Sequence, residues 1–267
     1  MTVQLERFTI AGPAGQLTGL ATPAGADDAA PPVLLLHGIN MSSAVWRRLV
    51  DELGPGRRYI APDLRGHGGS GQQGPFTADD YADDALAVLD ELGVERVHVV
   101  GTSFGGMVAC TLAARVPERV ASIAAIGSAL AIEGVDLEQA TAALQGMGVR
   151  PFYDMFLPQA SFAPGTDQSL IDEAAATASE GRDAELVIDV SVTAFTSDVT
   201  AAAEKVRCPA LVMAGELDLT CPTPLGEAMA KVLSTELVRV PGSGHMVIVE
   251  DAPATAALLQ PHLSSAS

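Results

Sequence analysis

One serine in this chain sits where a side chain is hard to place. In VHVVGTSFGGMVAC, residues 97–110, an apolar run stops at Gly101, and apolar character resumes only at Met107. A buried strand that turns into a helix this sharply forces its central residue into a strained backbone conformation. The residues two before and two after it come so close that only glycine fits, here Gly101 and Gly105. The strain lifts the Ser103 hydroxyl out of the turn. The helix starting at Phe104 points its free N–H groups and positive end at the same spot. This G-x-S-x-G arrangement presents a nucleophile at the rim of a sheet. A dinucleotide loop fits less well: G-x-G-x-x-G fails at Ser103, and there is no P-loop lysine.

A serine hydroxyl attacks only after a base takes its proton, and the base needs an orienting acid. His245 lies in VPGSGHMVIVED, a glycine-bracketed loop after one strand and before the last helix, which suits a general base. His37 in LLLHGIN and His67 in PDLRGHGGSG read as loop-shaping residues. His98 falls inside a strand pattern and His262 near the end of the last helix. For the acid, LVMAGELDLTCP offers Glu216 and Asp218 just past a buried strand. Asp218 has the better spacing and Glu216 is the fallback. Asp63 also ends a strand but precedes the serine. The order Ser103, Asp218, His245 is the one this turn uses. A developing oxyanion needs donors. The backbone N–H of Phe104 comes with the turn, and HGIN can aim the N–H of Ile39 inward, leaving its side chain to line a pocket.

These groups converge only if the chain forms a layered sheet. Strand-like runs flank the AGPAG turn at 11–15 and recur in PPVLLLHG, RRYIAPD, VHVVG and VASIAAIG. Between them lie helical patterns: one capped by Ser42 or Ser43 with Val45, Trp46, Leu49, Val50 and Leu53, one capped by Thr77, and one from Phe104 to about Arg115. This alternation is that of an α/β chain with a parallel sheet. The rhythm breaks after Gly127. Residues 128–204 read as helices with no strong strand, and CPALVMAG and TELVRVPG then restore the sheet. GADDAAPP, residues 25–32, reads as a loop.

Composition narrows the partners. The chain has 267 residues, 48% hydrophobic, enough for one large domain with an insertion. A formal charge of -18 disfavours nucleic acid and anionic membrane. Cys110, Cys208 and Cys221 form no C-x-x-C, so neither a disulfide framework nor a zinc site is expected. The N-terminal MTVQLERFTI carries no signal-peptide pattern and no run of 18 apolar residues occurs, so a cytoplasmic location is expected.

LLLHGIN, PDLRGHGGS, GTSFGG, AGELDLTCP and PGSGHMVIVEDAP, in this order and at these spacings, make the chain resemble the α/β-hydrolases over nearly its full length. The nearest layout is that of the 3-oxoadipate enol-lactonase-like esterases. The resemblance implies a mostly parallel eight-stranded sheet flanked by helices. Residues 1–127 and 205–267 would form the core, with a helical cap at 128–204 inserted after the sixth strand. It implies Ser103, Asp218 and His245 as triad, Ile39 and Phe104 as oxyanion donors, and no cofactor or metal. Epoxide hydrolases and haloalkane dehalogenases carry an aspartate where Ser103 stands. The expected activity is ester or lactone hydrolysis on a small molecule. Alternatives are a carboxylate-bearing enol-lactone or ring-cleavage product, a perhydrolase side activity, and a catalytically silent small-molecule binder. Met147, Arg150, Phe152 and Phe156 are the expected pocket residues of the cap. Only Arg150 and Arg182 are basic within 128–204, so a neutral substrate is expected, with Arg150 the residue placed to overturn this.

Overall fold

The computed structural model describes residues 2–23, 25, 30–132 and 134–265. Residues 26–29 of the expected loop lie outside them. Eight strands form one sheet in the order β1-β2-β4-β3-β5-β6-β7-β8. They are β1 (Glu6–Gly12), β2 (Gly15–Ala21), β3 (Val33–Leu36), β4 (Tyr59–Pro62), β5 (Val97–Thr102), β6 (Val120–Ile126), β7 (Ala210–Gly215) and β8 (Leu237–Val240). The β1–β2 hairpin and the β2–β4 pair are antiparallel, and every other pair is parallel. The central strands β3, β4, β5 and β6 are buried at every residue, which is why they read as unbroken apolar runs.

Eleven α-helices surround the sheet among the described residues: α1 (Arg47–Leu53), α2 (Ala78–Glu91), α3 (Phe104–Arg115), α4 (Leu137–Met147), α5 (Val149–Ala160), α6 (Gln168–Ser179), α7 (Ala184–Phe195), α8 (Thr200–Ala203), α9 (Thr223–Val232), α10 (Val247–Glu250) and α11 (Ala252–Ser265). Ser42 caps a 3-10 turn, Ser43–Trp46, that leads into α1. Thr77 and Asp80 form a reciprocal capping box at the start of α2. One apolar cluster packs α2, α3, α8 and α9 on one face of the sheet; a second packs α1, α10 and α11 on the other.

Helices α4–α8 occupy the chain between β6 and β7. An isolated antiparallel bridge joins Ala131 to Asp198, and the Val199 N–H donates to the Leu130 carbonyl at 2.9 Å. Beyond this neck Val199 and Ala203 are buried in the main core cluster, because α8 packs beside α3 rather than with α4–α6. A third apolar cluster, around Leu144, Tyr153, Leu157, Phe162, Ile171 and Val187, holds the inserted helices together and reaches Met246.

Candidate active site

Ser103 has φ 53° and ψ −125°, a conformation that side chains rarely adopt. Close approach enforces it. A Cβ on Gly101 would stand 2.1 Å from the Gly105 carbonyl oxygen, and one on Gly105 would stand 2.0 Å from that of Leu36. The turn is pinned at its backbone. The Ser103 N–H donates to the Ile126 carbonyl at 2.8 Å, and its own carbonyl accepts from the Ser128 hydroxyl at 2.5 Å.

His245 and Asp218 come from the loops after β8 and β7. The loops touch: a Cβ on Gly215 would stand 2.0 Å from the Gly244 carbonyl oxygen. His245 Nδ1 donates to Asp218 Oδ2 at 2.9 Å. Asp218 Oδ1 accepts from the N–H groups of Thr220 (2.9 Å) and Cys221 (2.8 Å). The part of Cys221 in the site is therefore its backbone; burial raises its thiol pKa far above the usual range. With Nδ1–H committed to the carboxylate, the lone pair of His245 sits on Nε2, and His245 and Ser103 line one cavity. Glu216 is exposed and turns away to accept from the Gly242 N–H at 3.2 Å.

The HGIN loop is fixed by two histidines. His37 Nδ1 donates to the Gly38 carbonyl at 2.7 Å. Because a trans peptide sets C=O and N–H on opposite sides, this bond turns the Ile39 N–H the other way. Gly38 lies against Ser103: a Cβ there would stand 2.9 Å from the Ser103 Cβ. Among the described residues neither the Ile39 nor the Phe104 N–H has an internal hydrogen-bond partner. His67 Nε2 accepts from the Asn40 N–H at 2.9 Å. Burial keeps both histidines neutral, His37 with its pKa lowered to about 4 and His67 well below its ordinary value. Asp63 ties the neighbouring turns, accepting from Ser43 N–H (2.8 Å) and the Thr18 hydroxyl (2.7 Å). Burial pushes its pKa up, but these hydrogen bonds outweigh burial and hold it below the usual carboxylate range.

The cavity, about 480 Å³, runs between the sheet edge and α4–α7. Ile39, Phe152 and Phe156 line it, with Tyr153, Leu157 and Val187 beside them. Met147 and Arg150 do not. Gly148, at φ +84°, breaks the chain between α4 and α5. Helix α5 then turns Phe152, Tyr153 and Phe156 inward, and Arg150 faces solvent with its Nε 2.7 Å from Asp154. Met147 is likewise exposed at the end of α4. The buried cation of the insertion is Arg182, behind the cavity wall. Asn40, which contacts it, was missed in the sequence; the available signal was an asparagine after H-G-x, a residue type that tolerates positive φ. Among the described residues no cluster of three His, Cys, Asp or Glu is placed to hold a metal, and no helix is long and apolar enough to cross a membrane.

The arrangement has counterparts. Over 96% of its length the chain superposes on the enol-lactonase of Burkholderia xenovorans with a TM-score of 0.87 and 23% identity, covering 99% of that chain. A thermophilic esterase from Thermogutta terrifontis matches over 98% of this chain and 99% of its own, with a TM-score of 0.84 and 23% identity. Residues 31–156 match the family described as alpha/beta hydrolase fold. The chain has the α/β-hydrolase fold. The eight-stranded, mostly parallel sheet implied by the sequence motifs is thus borne out. Among curated proteins this chain is 41% identical over 103 residues to a 2-hydroxymuconate semialdehyde hydrolase of a Pseudomonas species. It is 42% identical over 102 residues to the lipase LipV of Mycobacterium tuberculosis. These matches take in 37% and 38% of this chain, and span only 36% and 39% of those relatives' lengths.

Proposed function

We propose that this chain is a serine hydrolase cleaving a neutral, small-to-medium carboxylic ester or lactone through an acyl-enzyme, with residues 128–204 as the cap over the site. One observation carries the reading: a strained Ser103 and an Asp218-bound His245 line the same cavity. Ser103 Oγ attacks the carbonyl carbon while its proton passes to His245 Nε2. Asp218 holds the imidazole by Nδ1–H and stabilises the cation that forms. The tetrahedral oxyanion accepts from the N–H groups of Phe104 and Ile39. Its collapse expels the alcohol, which takes the proton from His245. Water then attacks the acyl-enzyme by the same route and releases the acid. The enol-lactonase, esterase and lipase among the similar proteins support ester or lactone chemistry.

The test is an organophosphonate probe read by intact mass and peptide mapping, alongside turnover of a short-chain nitrophenyl ester. A single adduct on Ser103 is expected, and Ser103→Ala should lose roughly 10⁴–10⁶-fold in kcat. An active chain that stays unmodified would exclude the mechanism. An inactive, unlabelled chain that still binds esters would be a binder.

A further inference from the structure

Arg182 is the most unusual charge in the molecule. It is 8% exposed, and among the described residues it forms no ion pair. Its Nη1 donates to Asn40 Oδ1 at 2.7 Å and to the Ala178 carbonyl at 3.1 Å. Its Nε and Nη2 are buried without a hydrogen-bond partner among the described residues. Burial lowers its pKa, although the guanidinium stays charged at any working pH. Burying a cation without an acid carries a large desolvation penalty, which an apolar side chain of similar length would avoid. Packing therefore does not explain the guanidinium. Its one strong bond, to Asn40, does.

Asn40 stands next to Ile39 and is held from two sides. Its φ is 61°, in the left-handed region that asparagine adopts more readily than other non-glycine residues. From the core, His67 takes its N–H. From the insertion, Arg182 grips its Oδ1, and its Nδ2 donates to Ser191 Oγ on α7 at 3.3 Å. Asn40 and Ser191 line the cavity, and Arg182 stands behind them. Both side-chain partners of Asn40 thus come from the insertion, Arg182 from the α6–α7 loop and Ser191 from α7, and the peptide it anchors adjoins the one carrying the Ile39 N–H.

We infer that Arg182 is a positioning residue: through Asn40 it holds the Ile39 loop in the geometry that accepts an oxyanion, so that this donor is set only while the cap is seated. The inference rests on the serine-hydrolase reading, with Ile39 as an oxyanion donor. A loop free to relax leaves substrate binding intact and weakens the transition state, where the donor matters most.

The experiment uses the full chain, a nitrophenyl acyl ester and the organophosphonate probe. Arg182→Met breaks the bond from the cap side. Asn40→Gly breaks it from the core side and tolerates the backbone, so one variant remains if the other fails to fold, as judged by circular dichroism and thermal melting. Each is expected to lower kcat by about 10- to 100-fold with KM changed less than about threefold, and to slow phosphonate labelling by the same factor as kcat/KM. The double variant should be no worse than the worse single one, and Arg182→Lys should fall between Arg182→Met and wild type. Unchanged kcat in either folded variant overturns the inference, as do losses that multiply in the double variant. A defect confined to KM for an ω-carboxylate substrate also overturns it, making Arg182 a reader of substrate charge. A wild-type chain that is neither labelled nor active overturns the parent reading and this inference together.

Discussion

Asp218 and His245 are joined by a 2.9 Å hydrogen bond from imidazole Nδ1–H to Oδ2, while the other carboxylate oxygen is locked by two backbone N–H groups. That division leaves the carboxylate no freedom to rotate and the imidazole one tautomer. Asp218→Asn puts an amide where an acceptor is required, and should reduce kcat by about 10³–10⁴-fold. Glu216→Gln, on an exposed residue whose side chain accepts from the Gly242 N–H, should leave kcat within about twofold. Steady-state kinetics on one ester compares the two. Equal losses would remove Asp218 from the role.

Gly127 lies over this pair. Its φ is +56°, and a Cβ there would stand 3.3 Å from both Asp218 Oδ2 and His245 Nδ1. Gly127→Ala therefore presses on the hydrogen bond itself while adding about 1–2 kcal/mol of backbone strain. The expected result is a folded protein with kcat lowered about tenfold. Gly101→Ala differs, because its Cβ would meet backbone at 2.1 Å and nothing there can give way. It should yield no soluble folded protein. A Gly127→Ala variant with full kcat would show that the pair tolerates the contact.

The sequence carried the elbow because its chemistry is local. Gly101 and Gly105 are adjacent to Ser103 in the chain, and their steric need shows in the residue types. The buried strands were equally legible, since β3 to β6 hide both faces and admit only apolar residues. Arg150 was misplaced because a pocket wall depends on which face of α5 turns inward. The packing of α5 on α6 and α4 sets that face, and the local pattern GMGVRPFYDMF does not encode it. Arg182 was invisible for a related reason: its partner Asn40 lies 142 residues away, and nothing local marks a guanidinium for burial. The bridge between Ala131 and Asp198 is likewise a long-range pairing that no local pattern marks.

Two neutral histidines under the HGIN loop make stability depend on pH. His37 has its pKa lowered to about 4 by burial, and burial likewise holds His67 well below the ordinary 6.5. A depressed histidine pKa means that the unfolded chain binds the proton first. The stabilisation is complete above about pH 6.5 and is lost as the pH falls from there toward 4. Urea denaturation at pH 7.5, 5.5 and 4.5 should show midpoints falling across that window. Imidazole NMR signals of His37 and His67 should not titrate above about pH 5. Titration of either ring near 6.5 would contradict their burial as neutral donors and acceptors.

Substrate choice should follow the cavity wall. The side chains of Phe152 and Phe156 stack at 5.7 Å with planes 9° apart, on a surface that is mostly apolar. Among the described residues the buried cation of the insertion, Arg182, stands behind Asn40 rather than in the wall. The cations that line the cavity, Arg47 and Arg48, are exposed and Arg48 is paired with Glu173, so a substrate carboxylate carried past them into the apolar interior would lack a partner, which costs several kcal/mol. A neutral acyl ester should exceed its ω-carboxylate analogue in kcat/KM by at least about tenfold. Arg150→Ala should change neither value, because that side chain faces solvent and is bonded to Asp154. Phe152→Ala should shift the preference toward bulkier acyl groups by opening the wall, with kcat for the smallest ester little changed. The panel is a series of nitrophenyl esters of rising chain length, each with its ω-carboxylate partner. A wild-type preference for the carboxylate would reverse the substrate class. Loss of that preference in Arg182→Met but not in Arg150→Ala would identify the residue responsible.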